Sequence, residues 1–414
     1  MIDLNVTSEI GKLNAVITHT PGDELENMTP QNAEKALYSD ILNLAVASKE
    51  YNLFKGALEK HTKTFEIKEL LEDILKKDCI KKELIDRVCK NENIEHLKHI
   101  LLSLSYTELA ETLIRGLKSP KYTLTEYISN ERFAIRPLHN FFFTRDASIS
   151  IGNNVLISKM ASKVREREAL IMEMIFNHST IINVNKTYNA NLLDNLTIEG
   201  GDLLIISENV LCIGMGERTT SQGIDFLIEH FKKENREMHI IVQELPKEPE
   251  SFIHLDMIFT ILDTHDCMVY EPVIMDHKYR TIELSIKESG EVIISEADNI
   301  VDALNNLGFS FKPILCGGTQ DSWFQEREQW HSGANFFALA PGKILGYARN
   351  SHTIDELEKN GYKVIKAIDL IENDMDLTEI KKYVITIPGS ELARGGGGCR
   401  CMTMPINRDS VKFK

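Results

Sequence analysis

The 414-residue chain contains no window that approaches the roughly 18 to 20 uninterrupted apolar residues of a membrane-spanning helix. An integral helical membrane protein is thereby excluded. Its start, Met1-Ile2-Asp3-Leu4-Asn5, lacks the basic segment and apolar stretch of a secretory signal. It also lacks an even, closely spaced cysteine framework: seven cysteines are scattered at 79, 89, 212, 267, 316, 399 and 401. A reducing compartment and a cytoplasmic location are expected. Basic charge is in deficit, with 47 Lys and Arg against 62 Asp and Glu, a net charge of −15. That sign is wrong for neutralising phosphates, so nucleic acid and anionic membranes are not expected partners. The 43% apolar and 26% charged composition leaves no room for a disordered, collagenous or coiled-coil reading.

What is present is an α/β pattern with a helical stretch inside it. Between 64 and 118, Ile67, Leu70, Leu71, Ile74 and Leu75 fall on one helical face, and Leu84, Ile85, Val88, Leu97, Ile100, Leu101 and Leu104 continue the pattern. Ser105 to Glu108 has the spacing of a capping box before Leu109, Leu113, Ile114 and Leu117. The expectation is an inserted helical domain at 64–118, with a structural or oligomerisation role, and a catalytic α/β domain made of 1–63 and 119–414. Outside the insertion one unit recurs: strands at Asn154 to Ile157, Asn209 to Ile213 and Lys343 to Tyr347 are followed by Arg165, Arg218 and Arg349 and then by a helix. This favours a repeat architecture over a doubly wound sheet. A Rossmann turn is not supported, since Gly214-Met215-Gly216 is not followed by the third glycine.

The most unusual stretch is Arg394 to Pro405, where four glycines precede Cys399, Arg400 and Cys401. Glycines permit close approach to a ligand, and a guanidinium beside Cys401 would favour thiolate over thiol, which describes an activated nucleophile. A structural glycine loop with a buried cysteine is the plainer alternative. A phosphate loop would need Lys-Ser/Thr after the glycines, and a metal site more ligands than one C-x-C. An acid/base partner is offered by His254-Leu255-Asp256, read as part of a strand from Phe252 to Ile261 that points both side chains to one face. Glu199-Gly200-Gly201-Asp202 precedes a strand at Leu203 to Ile206, and Asp146 closes the run Phe141 to Asp146. One Cys, one His and three carboxylates, with no hydroxyl nucleophile elbow and no metal set, suit a cationic planar substrate such as a guanidinium.

Several motifs fall in the order found in arginine deiminases: N-x-x-F-T-R-D at Asn140 to Asp146, E-G-G-D at Glu199 to Asp202, E-R-T at Glu217 to Thr219, H-L-D at His254 to Asp256, R-E-Q-W at Arg327 to Trp330 and C-M-T-M-P at Cys401 to Pro405. With S-E-I-G-K-L at Ser8 to Leu13 and P-G-D-E-L-E at Pro21 to Glu26, the chain resembles that family over nearly its whole length. The resemblance implies a five-bladed pseudosymmetric α/β propeller with an inserted helical bundle, an insertion not expected in amidinotransferases and dimethylarginine hydrolases. It implies hydrolysis of L-arginine to L-citrulline and ammonia, with no cofactor and no metal, by a homo-oligomer. The catalytic set it implies is Cys401, His254, Glu199, Asp146 and Asp256. Its substrate-binding set is Asn140, Arg165, Arg218, Gly398 and Arg400, the first three on the α-carboxylate. For Arg165, in the mixed-charge run Lys163 to Glu168, a surface salt bridge is the competing reading.

The chain departs from the family pattern at Gly396, where many relatives carry a second arginine in R-G-R-G-G. Smaller departures are Trp330-His331-Ser332-Gly333 for W-N-D-G and Tyr347-Ala348-Arg349-Asn350 for Y-D-R-N. A hydrolase of another guanidino compound, or a non-catalytic arginine-binding protein on the same scaffold, are the alternatives.

Overall fold

The computed structural model describes residues 1–29, 33, 37–38, 40–121, 124–128, 131–373 and 375–413. Among the described residues, five sheets have three or more strands, and each contains the same unit. A hairpin of two antiparallel strands is followed by a helical crossover and then by a strand parallel to the hairpin's second strand. Ser148–Ile151 and Asn154–Ile157 form such a hairpin, with Glu166–His178 as crossover and Lys186–Asn189 as third strand. Leu203–Ser207, Val210–Met215, helix Ser221–Lys233 and Met238–Glu244 repeat it. Phe337–Ala340, Lys343–Tyr347, helix Ser351–Lys359 and Tyr383–Ile387 do so again.

The remaining two units are assembled from distant segments. Phe259–Ile261 and Asp266–Val269 pair with Lys312–Leu315 only after the chain has detoured through the hairpin Thr281–Ile286 and Val292–Ala297, which extends the neighbouring sheet. In the last unit the C-terminal strand Met404–Arg408 supplies the antiparallel partner of Leu13–Thr18, and Lys63–Glu66 adds in parallel beyond helix Leu44–Glu59. The two ends of the chain are thus locked into one sheet. The hairpin strands Ser148–Ile151, Asn154–Ile157 and Leu203–Ser207 are buried on both faces, so they read as near-continuous apolar runs such as Leu203 to Ile206.

Helices Ile67–Leu75, Asp78–Glu92, Lys98–Ser103 and Tyr106–Arg115 follow the strand at Lys63–Glu66. The Ser105 and Glu108 capping box is formed, a device worth about 1 kcal/mol. Leu70, Leu71, Leu84, Ile85, Leu109 and Leu113 are buried in one cluster with Ile171, Met174 and Ile175 of the helix Glu166–His178. These helices therefore share a core with the α/β body. No helix among the described residues is long and apolar enough to cross a membrane.

Candidate active site

The glycine run ends in a turn that places Cys401, only 4% exposed, on the wall of a cavity of about 530 Å³. Asn140, Asp146, Arg165, Arg218 and His254 line the same cavity. Glu199 and Asp256, each 0% exposed, stand behind that wall. Residues separated by up to 261 positions are thus gathered around one thiol.

The four residues of Glu199-Gly200-Gly201-Asp202 each have a definite task. Glu199 Oε2 lies 2.9 Å from Nε2 of His254, and its Oε1 accepts from the backbone N–H of Ala161 at 2.9 Å. A Cβ on Gly200 would sit 2.0 Å from the carbonyl oxygen of Arg145, and one on Gly201 would sit 2.5 Å from Nδ1 of His254. Both positions must therefore lack a side chain. Asp202 Oδ1 accepts from the N–H of Leu255 at 2.9 Å and so fixes the turn that carries His254.

That turn corrects the strand expected from Phe252 to Ile261. His254 is extended, but Leu255–Met257 is a single 3-10 turn, and the strand covers only Phe259–Ile261. The alternation of strand faces does not apply. His254 and Asp256 reach one site because Asp202 and Gln329 hold the turn, the latter donating to the carbonyl oxygens of Ser251 and Met257 at 2.8 and 3.3 Å.

Burial drives the His254 imidazolium towards the neutral form. The charge of Asp146, the Glu199 hydrogen bond and the charges of Asp202 and Glu199 outweigh burial and take its pKa up to about 9. Glu199 is the complement: burial raises it, and His254 together with Arg218 and Arg165 brings it down to about 2. At neutral pH the pair is imidazolium and carboxylate.

Cys401 behaves in the opposite way. Burial first, then the charges of Asp256 and Asp146, push the thiol well above its ordinary value, against the smaller effects of the Gly398 backbone and Arg400. The expected activation by Arg400 is therefore overridden. Its guanidinium is turned away, gripping both oxygens of Glu9 at 3.0 and 3.1 Å and Asp256 Oδ2 at 2.8 Å. Arg400 is 1% exposed and does not line the cavity; Gly398 likewise lies behind it, against Asn335. Asp256 completes the contact, with its two oxygens 3.8 and 3.9 Å from the sulfur.

Arg165 is buried rather than superficial. Its guanidinium donates to Asp146 Oδ2 at 2.7 Å and to Glu168 at 2.8 and 3.0 Å, which replaces the surface salt bridge among the readings. Asp146 Oδ1 is buried without a hydrogen-bond partner among the described residues and lies 3.7 Å from Nδ1 of His254. Arg218 and Glu217 sit towards the mouth, as do Trp330 and Arg394, the last tied to Asp40 and Glu391. Among the described residues no three His, Cys, Asp or Glu side chains converge in a way that would hold a metal ion. Two residues of the site escaped sequence reasoning. Glu9, in Ser8 to Leu13, anchors Arg400, and Asn335 contacts the sulfur itself at 3.2 Å. Neither lies near Cys401 in the sequence, and no local pattern marks them.

Known proteins resemble the chain over nearly its whole length. The family model of arginine deiminase matches residues 34–408. Arginine deiminase of Borrelia garinii subsp. bavariensis is 33% identical over 433 aligned positions, covering 99% of this chain and 98% of that one. The enzyme of that name from Listeria innocua is 31% identical, covering 99% of each. Among solved structures, an amidinotransferase of saxitoxin biosynthesis from Microseira wollei superposes with a TM-score of 0.55 at 15% identity, covering 99% of both chains. A dimethylarginine dimethylaminohydrolase does so with a TM-score of 0.51 at 13% identity, covering 95% of this chain and 99% of that one. These structural likenesses establish a shared mixed α/β fold, and the sequence matches establish that the chain belongs to the arginine deiminase family.

Proposed function

We propose that this chain hydrolyses L-arginine to L-citrulline and ammonia through a covalent intermediate on Cys401. The observation that carries the reading is Asp146 Oδ1, buried without a hydrogen-bond donor among the described residues on the wall of a cavity that also presents Cys401 and His254. A buried acceptor without a donor is costly, and a guanidinium N–H is the donor that fits beside a second carboxylate, Asp256. A substrate cation beside Asp146, with Asp256 just behind the sulfur, offsets the two charges that hold the thiol protonated, so the proton leaves Cys401 to solvent when substrate binds. The thiolate attacks the guanidinium carbon, and the imidazolium of His254 protonates the departing nitrogen, which leaves as ammonia. The product of this step is an amidino-thioether cation. His254, now neutral, takes a proton from water as its oxygen adds to that carbon. Collapse breaks the carbon–sulfur bond, and the surplus protons return to sulfur and to ammonia.

Arg218, Arg165 and Asn140 line the same cavity and would take the α-carboxylate of such a substrate, a role that guanidinium forks suit. On this reading the five β-β-α-β units are the blades of a pseudosymmetric propeller. Residues 64–118 form the inserted helical domain between 1–63 and 119–414, and the protein works in the cytoplasm as a homo-oligomer. A second reading, a hydrolase of a related guanidine, is favoured by Gly396, where a Cβ would meet nothing within 4 Å. The cavity is open where relatives carry an arginine. Citrulline and ammonia release from L-arginine, agmatine, methylated arginines and peptidyl arginine, with Cys401→Ala as blank, tests both. Citrulline from free arginine supports the deiminase; turnover of another guanidine alone supports the second reading; no Cys401-dependent turnover refutes both.

A further inference from the structure

We infer that Asn335 is a catalytic residue whose side-chain N–H holds the Cys401 thiolate, an assignment that rests on the nucleophilic role proposed above. Asn335 lies between the helix Ser322–Trp330 and the strand Phe337–Ala340 and is 1% exposed. Its Nδ2 donates to the Cys401 sulfur at 3.2 Å and to the carbonyl oxygen of Asp256 at 3.0 Å. Its Oδ1 accepts from the backbone N–H of Arg400 at 2.9 Å and of Cys401 at 3.3 Å. The amide orientation follows from these partners. Reversing it would set an NH2 against two N–H donors and an oxygen against a carbonyl oxygen, so the donor must face the sulfur.

The surroundings make this donor consequential. The charged groups that face or act on the sulfur are Asp256, Asp146, His254 and Arg400, with Tyr347 also buried close by. Two of these are carboxylates that oppose the thiolate, and the Arg400 guanidinium is occupied by Glu9 and Asp256. The amide N–H can stabilise sulfur only in its anionic form to full effect, because hydrogen bonds to a charged partner are the stronger class. Gly398 is part of the same device. A Cβ there would sit 2.6 Å from Asn335 Oδ1, so the loop must be bare for the amide to reach the sulfur.

Asn335 also pins the loop backbone, so its test must separate donation from support. Asn335→Asp retains an acceptor for the two backbone N–H groups and removes the donor; Asn335→Ala removes both. The measurement is the pH dependence of Cys401 alkylation by iodoacetamide, read by mass spectrometry on the Cys401 peptide so that exposed Cys79 does not contribute. Both variants should move the midpoint up by about one pH unit or more, a roughly tenfold lower alkylation rate at fixed pH below it. An unmoved midpoint in folded variants overturns the inference. Should neither variant fold, the side-chain amide resonance of Asn335 in the unmodified protein decides. It should shift as Cys401 ionises and lose that response in Cys401→Ala; a flat response overturns the inference. Alkylation needs no arginine turnover, so citrulline release measured in parallel reports separately on the proposed function.

Discussion

Replacing Glu199 by glutamine removes one charge from the buried pair and leaves its shape. Glu199 Oε2 lies 2.9 Å from Nε2 of His254, and a glutamine still offers an oxygen for the N–H of Ala161. The bond lost is charge-assisted, a class worth about 1.5 to 3 kcal/mol, which corresponds to about one to two pH units in the imidazolium titration. His254 stands at about 9 in the intact protein and is expected at about 7 to 8 in Glu199→Gln, with Asp146 the remaining carboxylate on the ring. The two displacements also fix how stability responds to pH. His254 is raised from 6.5, so its contribution is full below pH 6.5 and is lost as pH rises through about 9. Glu199 is depressed from 4.5, so its contribution is present above pH 4.5 and is lost as pH falls through about 2. The stability lost in the variant should therefore be largest between pH 4.5 and 6.5, about 3 kcal/mol at most, and should shrink on both sides.

Two assays follow the same variant. Ring resonances of His254 give the midpoint directly, and urea unfolding across pH 3 to 10 gives the stability difference, the pH range being set by the two displaced groups. An unchanged His254 midpoint, or a stability difference that is flat with pH, would refute the claim that Glu199 holds the imidazolium by charge. On the proposed mechanism, turnover at neutral pH should fall by no more than about twofold through loss of imidazolium, and the fall should steepen about tenfold per pH unit above the new midpoint.

Cys401→Ala should abolish citrulline release and leave the melting temperature near that of the parent, since the buried thiol it removes is neutral and holds no ion pair; residual turnover in the folded variant would exclude Cys401 as nucleophile. Gly201→Ala places a Cβ 2.5 Å from Nδ1 of His254 and 2.9 Å from Asp146 Oδ1, so kcat should fall by about 100-fold or more while the rest of the fold is retained. Parent-like kcat in that variant would show that the His254 position is not critical. Gly396→Arg should lower KM for L-arginine and leave KM for agmatine, which has no carboxylate, unchanged. The variant should cost about 1 to 2 kcal/mol in stability, because residue 396 has a φ of +82°. An equal fall in KM for both substrates would remove the carboxylate from the explanation.

Three of the five β-β-α-β units were visible in the sequence because their middle strands carry compact apolar runs next to a helix, as at Asn154–Ile157 and Lys343–Tyr347. The other two were not, for reasons of connectivity. Leu13–Thr18 finds its antiparallel partner in Met404–Arg408 at the far end of the chain, and Asp266–Val269 meets Lys312–Leu315 only beyond a hairpin that belongs to another sheet. Strand propensity marks neither partner. The site divides along the same line. Glu199, Gly201 and Asp202 form a readable motif because three tasks around one histidine fall within four successive residues. His254 and Asp256 were identified with the wrong geometry, since a 3-10 turn held from outside resembles an alternating strand in sequence.

Arg400 shows why adjacency misled. A guanidinium next in sequence to Cys401 suggests thiolate activation, but the backbone turn sends successive side chains in different directions, and Arg400 reaches Glu9 and Asp256 behind the cavity. What meets the sulfur is Asn335, 66 residues away, together with the carboxylate of Asp256. The consequence is functional. A thiol held neutral by burial and two carboxylates is inert towards chance electrophiles, and the same carboxylates are the groups a cationic guanidine would neutralise on entering. On the proposed mechanism activation is coupled to recognition: a neutral analogue of the substrate's size should leave Cys401 as unreactive as in the empty cavity, whereas a guanidinium that cannot be turned over should accelerate its alkylation.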